Sequence, residues 1–476
     1  MIIYLPFENY HRDFLGRLIL AKELLKNKEV NSVHIGWHKE IFWHLFSTYF
    51  LSRKSDQSIL IDSNSFNYKY PFIKLLNLAP FKYYVLDEEE IGLTFQKKKL
   101  VKFRSSNYKF SNLIHKKFVF NEKLKKIYSE FFPKNKIVVS GNPKIQLYQN
   151  INKIKFIKKK TIFVMIPIPY FRVKNFLDYK FDKERPDRNK KKLKIKFSYL
   201  EKFIKNINLL IKEKPNKKFI IRPHPSDIEF YHRYKKLFSN SKNVIIKHKG
   251  FAFEEIISSE KLICGLDFSP IEGILLNKNP KVFLGNIINE DKIFRNHFAN
   301  KIKGIEYFRH RIDLDSSSKQ KIKTTGILSQ NFLVDKDSSK IIASSIDFEF
   351  KKKNLLDKLF WNISIFILSK PSKLLQQIKK KFYYRVTIRD YNNYSNLIER
   401  NLFLKFINRF YNNIFYSLYK TFLFYKFSDH SAYRMSGQQQ KLVLKDFKKI
   451  INFINTDKKF NYNINKSQTC IVLKKS

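Results

Sequence analysis

The clearest fold signal in this chain is the segment Lys218-Phe219-Ile220-Ile221-Arg222-Pro223-His224-Pro225-Ser226. Three apolar residues after Lys218 form the short run that is typical of a buried parallel strand. Each proline fixes its own φ and disfavours the α conformation in the residue before it. Arg222 and His224 therefore leave the carboxyl end of the strand on a stiff, extended backbone.

Ligands of open α/β sheets bind at the carboxyl ends of the strands. The guanidinium of Arg222 and the imidazole of His224, joined by the hydroxyl of Ser226, suit an anionic group there, most simply a phosphate. The alternative is a proline-rich turn in which Arg222 and His224 are solvated. The segment alone leaves both interpretations open.

Length and cysteine content set the outer bounds of the interpretation. The chain has 476 residues, more than one ordinary core holds, which predicts two or three domains. The two cysteines, Cys264 and Cys470, exclude a disulfide framework and a cysteine metal site. The start of the chain lacks a signal-peptide pattern, and no run of about 18 uncharged apolar residues predicts a membrane span. We therefore expect a cytoplasmic protein.

The charge balance is strongly basic, with 94 Lys and Arg against 41 Asp and Glu and a net charge of +53. This balance predicts anionic partners, which are nucleic acid, an anionic membrane surface or phosphorylated substrates. Compositional drift in an AT-rich genome is an alternative source of the many lysines. The same drift would also raise the glutamate content, so a basic preference remains.

Alternating apolar runs and amphipathic patterns predict two doubly wound α/β domains, over residues 1–152 and 160–345. Within the second domain, the charged segment 178–196 is predicted to be a surface loop. Residues 351–476 predict a mainly helical extension that is rich in aromatic residues and lysine. Its apolar stripes either lie in a membrane interface or pack on the second domain.

Polar clusters follow three predicted strands of the first domain. They are Glu8, Arg12, Asp13 and Arg17 near the first strand, the acidic run Asp87-Glu88-Glu89-Glu90, and the turn Ser140-Gly141-Asn142-Pro143-Lys144. Crowded carboxylates disfavour each other's ionised form, which suits a general base, although an acidic run is also a common solvated face. In the turn, Gly141 permits a tight bend and Pro143 suits the first position of a helix.

A second anion site is predicted at Ser269-Pro270-Ile271-Glu272 in the second domain. Ser269 is a good N-cap and Pro270 a good first helical residue, and a helix amino terminus attracts anions. Glu272 lies one turn further on, in place to accept ribose hydroxyls. The alternative is a plain cap in which Glu272 favours the helix dipole.

The ordered set of these motifs resembles that of the bacterial surface carbohydrate biosynthesis proteins of GT-B glycosyltransferase type. The motifs are Glu8 with Arg12-Asp13 and Arg17, Leu86-Asp87-Glu88-Glu89, Ser140-Gly141-Asn142-Pro143-Lys144, Arg222-Pro223-His224-Pro225 and Asp267-Phe268-Ser269-Pro270-Ile271-Glu272. That family is similar to CMP-nonulosonate transferases of the Kdo and sialic acid type, and more distantly to CDP-glycerol glycerophosphotransferases. The resemblance covers about residues 1–345.

The resemblance implies roles for individual residues. In bacterial sialyltransferases an acidic pair followed by glycine supplies the base, and a His-Pro motif, matched here by His224-Pro225, holds the donor phosphate. Glu89 or Glu90 stands where that glycine is expected, and the nearest glycine is Gly92, so the base remains either Asp87 or Glu88. The implied donor site comprises Arg222, His224, Ser226, Ser269 and Glu272, and the implied acceptor or interdomain residues are Glu8, Arg12, Asp13, Arg17 and Asn142.

The function implied is inverting transfer of a sugar from a nucleotide donor, with CMP as the first expectation, to a glycan or a lipid-linked acceptor. No metal and no other cofactor is expected, and the enzyme is expected at the inner face of the cytoplasmic membrane. Three alternatives stay open: a polyol phosphate transferase of CDP-glycerol type, a non-catalytic partner of a polysaccharide synthase, and a basic nucleic-acid-binding protein.

Overall fold

A computed structural model describes much of the chain, from the first strand to the last. The residues described are 1–7, 10–46, 48–49, 57–63, 70–87, 111–151, 157, 159–171, 173–174, 190–238, 241–248, 250–265, 269–276, 278–285, 305–316, 337–350, 355–359, 361–362, 460–464 and 470–475. Within them the chain forms two mainly parallel sheets, each covered by helices on both faces.

The first sheet contains eight strands in the order β13-β14-β2-β1-β3-β4-β5-β6. Its strands are β1 (Ile2–Phe7), β2 (Ser32–Trp37), β3 (Ser58–Asp62), β4 (Phe81–Leu86), β5 (Ile114–Val119), β6 (Ile137–Val139), β13 (Phe460–Ile464) and β14 (Cys470–Lys475). Its helices are α1 (Tyr10–Leu24), α2 (His38–Phe46), α3 (Tyr70–Leu76), α4 (Glu122–Tyr128) and α5 (Pro143–Ile151). Strands β1 to β6 pair in parallel, as the alternation of strands and helices predicts.

Burial on both faces of the sheet explains why these strands consist largely of apolar residues. Along β1, Ile3 and Leu5 belong to the core that includes α1, while Tyr4 points into the opposite core that includes α2. The alternation follows from the two-residue period of a strand.

The second sheet contains six strands in the order β9-β8-β7-β10-β11-β12. Its strands are β7 (Thr161–Met165), β8 (Lys218–Arg222), β9 (Val244–Ile246), β10 (Lys261–Cys264), β11 (Pro280–Phe283) and β12 (Glu306–Phe308). Helices α6 (Lys190–Glu213) and α7 (Tyr231–Leu237) pack on one face, and α8 (Ala252–Ser258) and α9 (Ser269–Leu275) on the other. Its first strand lies at the centre, so the chain winds outward in both directions.

The chain returns to the first sheet after β12. Helix α10 (Ser338–Ser344) packs against α1 and α5 rather than on the second sheet, to which the predicted limit of 345 assigned it. The hydroxyl of Ser339 donates to Gln146 Oε1 at 2.8 Å, and Gln146 Nε2 donates to Asp337 Oδ1 at 2.7 Å. Lys82 continues the attachment through a salt bridge to Asp347 at 2.5 Å.

One expectation from the sequence needs correction. Residues 190–196, predicted to be loop, form the start of α6, because a run of lysines fits a solvated helix as well as a solvated loop. The tail, predicted to be mainly helical, also contains strands β13 and β14, and β14 pairs antiparallel with β2; most of the tail lies outside the described residues. The described parts of the tail pack on the first domain, not the second, since Ile471, Leu473 and Trp361 all belong to its cores.

Candidate functional site

The carboxyl ends of the two sheets approach each other at a buried ion pair. Lys144 lies in the first turn of α5, which follows β6, and Glu272 lies in the first turn of α9, which follows β10. Lys144 Nζ lies 2.5 Å from Glu272 Oε1, and the side chains are 9% and 12% exposed. The hydroxyl of Tyr148 donates to the same oxygen at 3.0 Å.

This contact shifts the pKa values of Lys144 and Tyr148. Burial alone would lower the pKa of Lys144, but the carboxylate of Glu272 and the neighbouring Tyr148 outweigh it, and the pKa is raised. Burial and Glu272 raise the pKa of Tyr148. The sequence predicts that Glu272 accepts hydrogen bonds from ribose hydroxyls. In the structure at least one of its carboxylate oxygens accepts hydrogen bonds from Lys144 and Tyr148 of the first domain.

The first sheet reverses its winding between β1 and β3, and ligands of open α/β sheets bind at such a point. Asp62 ends β3 there and is fully buried, as is His38 at the start of α2. His38 Nε2 lies 3.5 Å from Asp62 Oδ1. Asp62 also accepts hydrogen bonds from the hydroxyl of Tyr83 at 3.0 Å and the backbone N–H of Ser63 at 2.8 Å.

Arg17 connects the ends of two neighbouring strands. It is fully buried on α1, and its guanidinium donates to the carbonyl of Ile61 at 3.2 Å and to that of Leu86 at 2.9 Å. Those carbonyls immediately precede Asp62 and Asp87. Asp13, one turn earlier on α1, is also buried. Arg17 therefore fixes the strand ends that carry Asp62 and Asp87, and its expected role as an acceptor or interdomain residue stays a prediction.

Asp87 lies at the carboxyl end of β4 and is 6% exposed. This burial argues against a freely solvated carboxylate at this residue, although it does not by itself identify a base. Arg12 lies in α1. Glu8, Glu88 and the side chain of Arg12 lie outside the described residues, so their predicted roles remain predictions.

Asn142 initiates α5. It is fully buried, and its Oδ1 accepts a hydrogen bond from the backbone N–H of Lys144 at 2.7 Å. Gly141 before it has a φ of 74°, a left-handed conformation that glycine adopts without strain, and Pro143 occupies the first helical position. The predicted turn is present, and the visible role of Asn142 is to cap the helix that carries Lys144.

In the second sheet, Arg222 is fixed at the carboxyl end of β8. It is 5% exposed, and its Nη2 donates to the carbonyl of Gly250 at 2.6 Å. Gly250 has a φ of 78°, which allows the loop after β9 to turn towards the guanidinium. At least part of the Arg222 guanidinium therefore stabilises the fold through its hydrogen bond to the loop after β9.

The turn that carries His224 is fixed by a buried carboxylate. The backbone N–H of Asp227 donates to the carbonyl of His224 at 2.8 Å. The Asp227 side chain accepts hydrogen bonds from the hydroxyl of Tyr234 at 2.6 Å and the backbone N–H of Phe171 at 2.8 Å. Burial, together with Asp227, raises the pKa of Tyr234, so this hydroxyl stays protonated and donates. His224 is half-buried on the resulting rigid turn.

The second switch point lies between β7 and β10. Ser269 is buried and is the first helical residue of α9, so it lies one position later in the helix than the predicted cap. Gly265, after β10, permits close packing, since a Cβ there would lie 2.3 Å from Pro167 Cγ and 2.5 Å from the hydroxyl of Tyr199. The backbone of Ser226 lies in the 3₁₀ turn Pro225–Phe230, and its side chain is outside the described residues.

The sequence reasoning missed the residues that hold these strand ends in place. They are His38, Asp62, Tyr83 and Asp227. Lys144 belongs to the predicted turn 140–144, but its contact with Glu272 was not predicted. Asp62 had a readable signal, because it follows the apolar run Ile59-Leu60-Ile61 in the same way that Asp87 follows β4. The partners of the others depend on tertiary contacts, which no local pattern encodes.

Two searches of the described residues concern metals and membranes. No group of three or more His, Cys, Asp or Glu side chains there is arranged to hold a metal ion. None of the helices described is long and apolar enough to cross a membrane.

No protein-family model and no curated protein matches this chain. Among solved structures, UDP-GlcNAc 2-epimerase from Neisseria meningitidis bound to UDP-GlcNAc is 14% identical, with a TM-score of 0.34 over 60% of this chain and 82% of that chain. The Methanocaldococcus jannaschii UDP-GlcNAc 2-epimerase in complex with UDP-GlcNAc and UDP is 11% identical, with a TM-score of 0.40 over 77% and 99%. E. coli heptosyltransferase WaaC with ADP is 10% identical, with a TM-score of 0.29 over 60% and 88%.

Identities and TM-scores this low carry no functional argument. The function must be argued from the residues of this chain.

Proposed function

We propose that this protein is a glycosyltransferase that moves a sugar from a nucleotide donor, CMP-linked in the first instance, to a glycan or lipid-linked acceptor with inversion. The observation that carries the proposal is the meeting of the two carboxyl edges at the Lys144–Glu272 pair. The candidate carboxylates follow strands of one sheet and the candidate phosphate ligands follow strands of the other, and the joining of these two edges supports the proposal. A two-substrate transfer needs such an arrangement.

Rigid positioning supports a donor site on the second domain. His224 lies on a turn fixed by Asp227, and Arg222 is held by the Gly250 carbonyl. In the proposal these two cationic or hydrogen-bonding groups, with Ser226 and Ser269, stabilise the charge that develops on the leaving nucleotide phosphate. Pre-positioned donors of this kind need no reorganisation during the reaction.

The first domain supplies the base in this proposal. Asp87, with Glu88 as the alternative, accepts the proton of the acceptor hydroxyl as its oxygen attacks the anomeric carbon. The nucleotide phosphate leaves from the opposite side, so the anomeric configuration inverts. Arg17 keeps the start of this acidic run in place through the Leu86 carbonyl.

Nucleotide binding and donor turnover test the proposal separately. Thermal stabilisation is measured with CMP, CDP, UDP and GDP, and hydrolysis or transfer is then followed with the matching sugar donor. We expect His224→Ala to lower turnover by about 10²–10³-fold, the scale for one pre-positioned charge-stabilising group. Asp87→Asn is expected to lower it by about 10²–10⁴-fold with nucleotide binding intact.

Exposed residues of the same types provide matched controls. His310→Ala and Asp313→Asn lie on the surface beyond β12 and should leave turnover unchanged. If no nucleotide stabilises the protein, the proposal fails. If Asp87→Asn stays fully active, Glu88→Gln decides whether the acidic run acts at all.

A further inference from the structure

A short helical segment after α10 displays three exposed leucines. Residues 355–359 and 361–362 are helical, and Leu355, Leu356 and Leu359 are 84%, 63% and 53% exposed. An α-helix turns by about 100° per residue, so the three side chains lie within an arc of about 100° on one face. They form a continuous apolar surface, here called the leucine face.

Trp361, two residues after Leu359, attaches this segment to the first domain. It is 7% exposed and belongs to the core beneath the first sheet, where its ring meets the Tyr49 ring edge-on at a centroid distance of 5.6 Å. The segment is therefore held in an orientation that directs the leucine face outward.

We propose that the leucine face docks on an anionic lipid surface. Charge complementarity selects this occupant: Lys358 is exposed beside the leucines, Lys351, Lys352 and Lys353 precede them, and the chain carries a net charge of +53. Apolar side chains at the acyl boundary with basic groups at the headgroups are the composition of interfacial helices. A second copy of this chain would bring the same lysines against each other.

Sedimentation of the full-length protein with vesicles tests this proposal. Vesicles of phosphatidylcholine are compared with vesicles that also contain phosphatidylglycerol. The triple variant Leu355→Gln, Leu356→Gln, Leu359→Gln removes apolar contact without changing the charge. The matched control is Leu209→Gln, a leucine that is 41% exposed on α6.

We expect the wild type and the control to bind the anionic vesicles and to be partly released by high salt. The triple variant should partition at least about tenfold less, because burying even one leucine side chain changes an equilibrium by about that factor. Wild-type-like binding by the triple variant would overturn the proposal. A change in the sedimentation of the triple variant without lipid would also overturn it, because the leucines would then contact a second copy of the chain. A melting temperature of the triple variant below that of the control would overturn it as well, because the leucines would then be covered within the chain.

The proposal does not depend on glycosyl transfer. A protein that binds vesicles through the leucine face but binds no nucleotide would refute only the proposed function.

Discussion

At the scale of single residues, three buried polar side chains of the candidate site hydrogen-bond to the backbone. Arg17 donates to two strand-end carbonyls, Arg222 to the carbonyl of Gly250, and Asn142 accepts from a helix N–H. The resemblance implies a donor-site role for Arg222 and an acceptor or interdomain role for Arg17 and Asn142. Position at a strand end predicted where these residues lie, whereas their partners came from chain segments far away in sequence.

Replacing Arg17 should affect stability and activity together. Arg17→Met removes the two hydrogen bonds that the buried guanidinium donates to the carbonyls of Ile61 and Leu86. Hydrogen bonds that involve a charged group contribute about 1.5–3 kcal/mol each, so we expect the free energy of unfolding in urea to fall by roughly 3 kcal/mol. Lys22→Met, on the same helix but partly exposed, should change it by less than about 0.5 kcal/mol. Equal effects would refute the positioning role.

His34 should make the first domain sensitive to acid. Burial, with His44 and Lys474 nearby, lowers the pKa of His34 from 6.5 to about 3. The unfolded chain therefore takes up this proton first, and stability is lost as the pH falls from about 6.5 towards 3, by at most about 1.4 kcal/mol per pH unit.

The measurement is the urea midpoint between pH 7 and pH 4. His34→Gln should flatten the decline, while His232→Gln, at an exposed position, should leave it as in the wild type. A decline that is equally steep in both variants would assign the acid sensitivity to other groups.

At the scale of elements, the least expected feature is strand β14. Its alternation in Cys470-Ile471-Val472-Leu473 places Ile471 and Leu473 in the core, both fully buried beside β2. The sequence pattern predicted a mainly helical extension here, and four apolar residues in a lysine-rich tail do not reveal which sheet edge they pair with. Strands β1 to β11 were predictable because their apolar runs are bounded by turns, and most of them are followed by a helix in the described residues.

The same contrast holds for the candidate site. Asp87, Arg222 and His224 were found from strand ends and prolines, which are local signals. Lys144 and Glu272 are 128 residues apart in sequence, and the sequence around either residue does not indicate that they pair. The sequence therefore predicts which strand ends carry the candidate residues, and the tertiary structure determines how those strand ends are joined.

Strand β14 should stabilise the first domain and protect its edge. Leu473→Ala should lower the free energy of unfolding by about 2–5 kcal/mol, as for other fully buried leucines. Lys474→Ala, the exposed neighbour, should change it by less than about 0.5 kcal/mol. A chain ending before residue 460 would leave β2 as an open edge and should aggregate on light scattering. A monomeric truncated chain with the wild-type melting temperature would show that β14 does not hold β2 in solution.

At the scale of the whole molecule, polar contacts join the two sheets. Lys144, Tyr148 and Glu272 form one cluster, and Gln146 on the same helix contacts Asp337 and Ser339 around α10. Helix α5 therefore contacts both the first helical turn of α9 and helix α10. A change in the angle between the sheets would have to break the buried cluster around Glu272.

The Lys144–Glu272 pair should therefore be strongly coupled. Removing one partner of a buried ion pair leaves an uncompensated charge and costs about 3–5 kcal/mol, whereas replacing both by apolar residues costs far less. A double-mutant cycle in urea, with Lys144→Met, Glu272→Leu and their combination, should show a double variant more stable than either single variant. The exposed pair Lys217–Glu260, with a 2.8 Å separation and side chains 39% and 40% exposed, serves as the control and should couple by less than about 1 kcal/mol. If both pairs couple equally weakly, water reaches Glu272 in solution, and the two sheets are free to separate there.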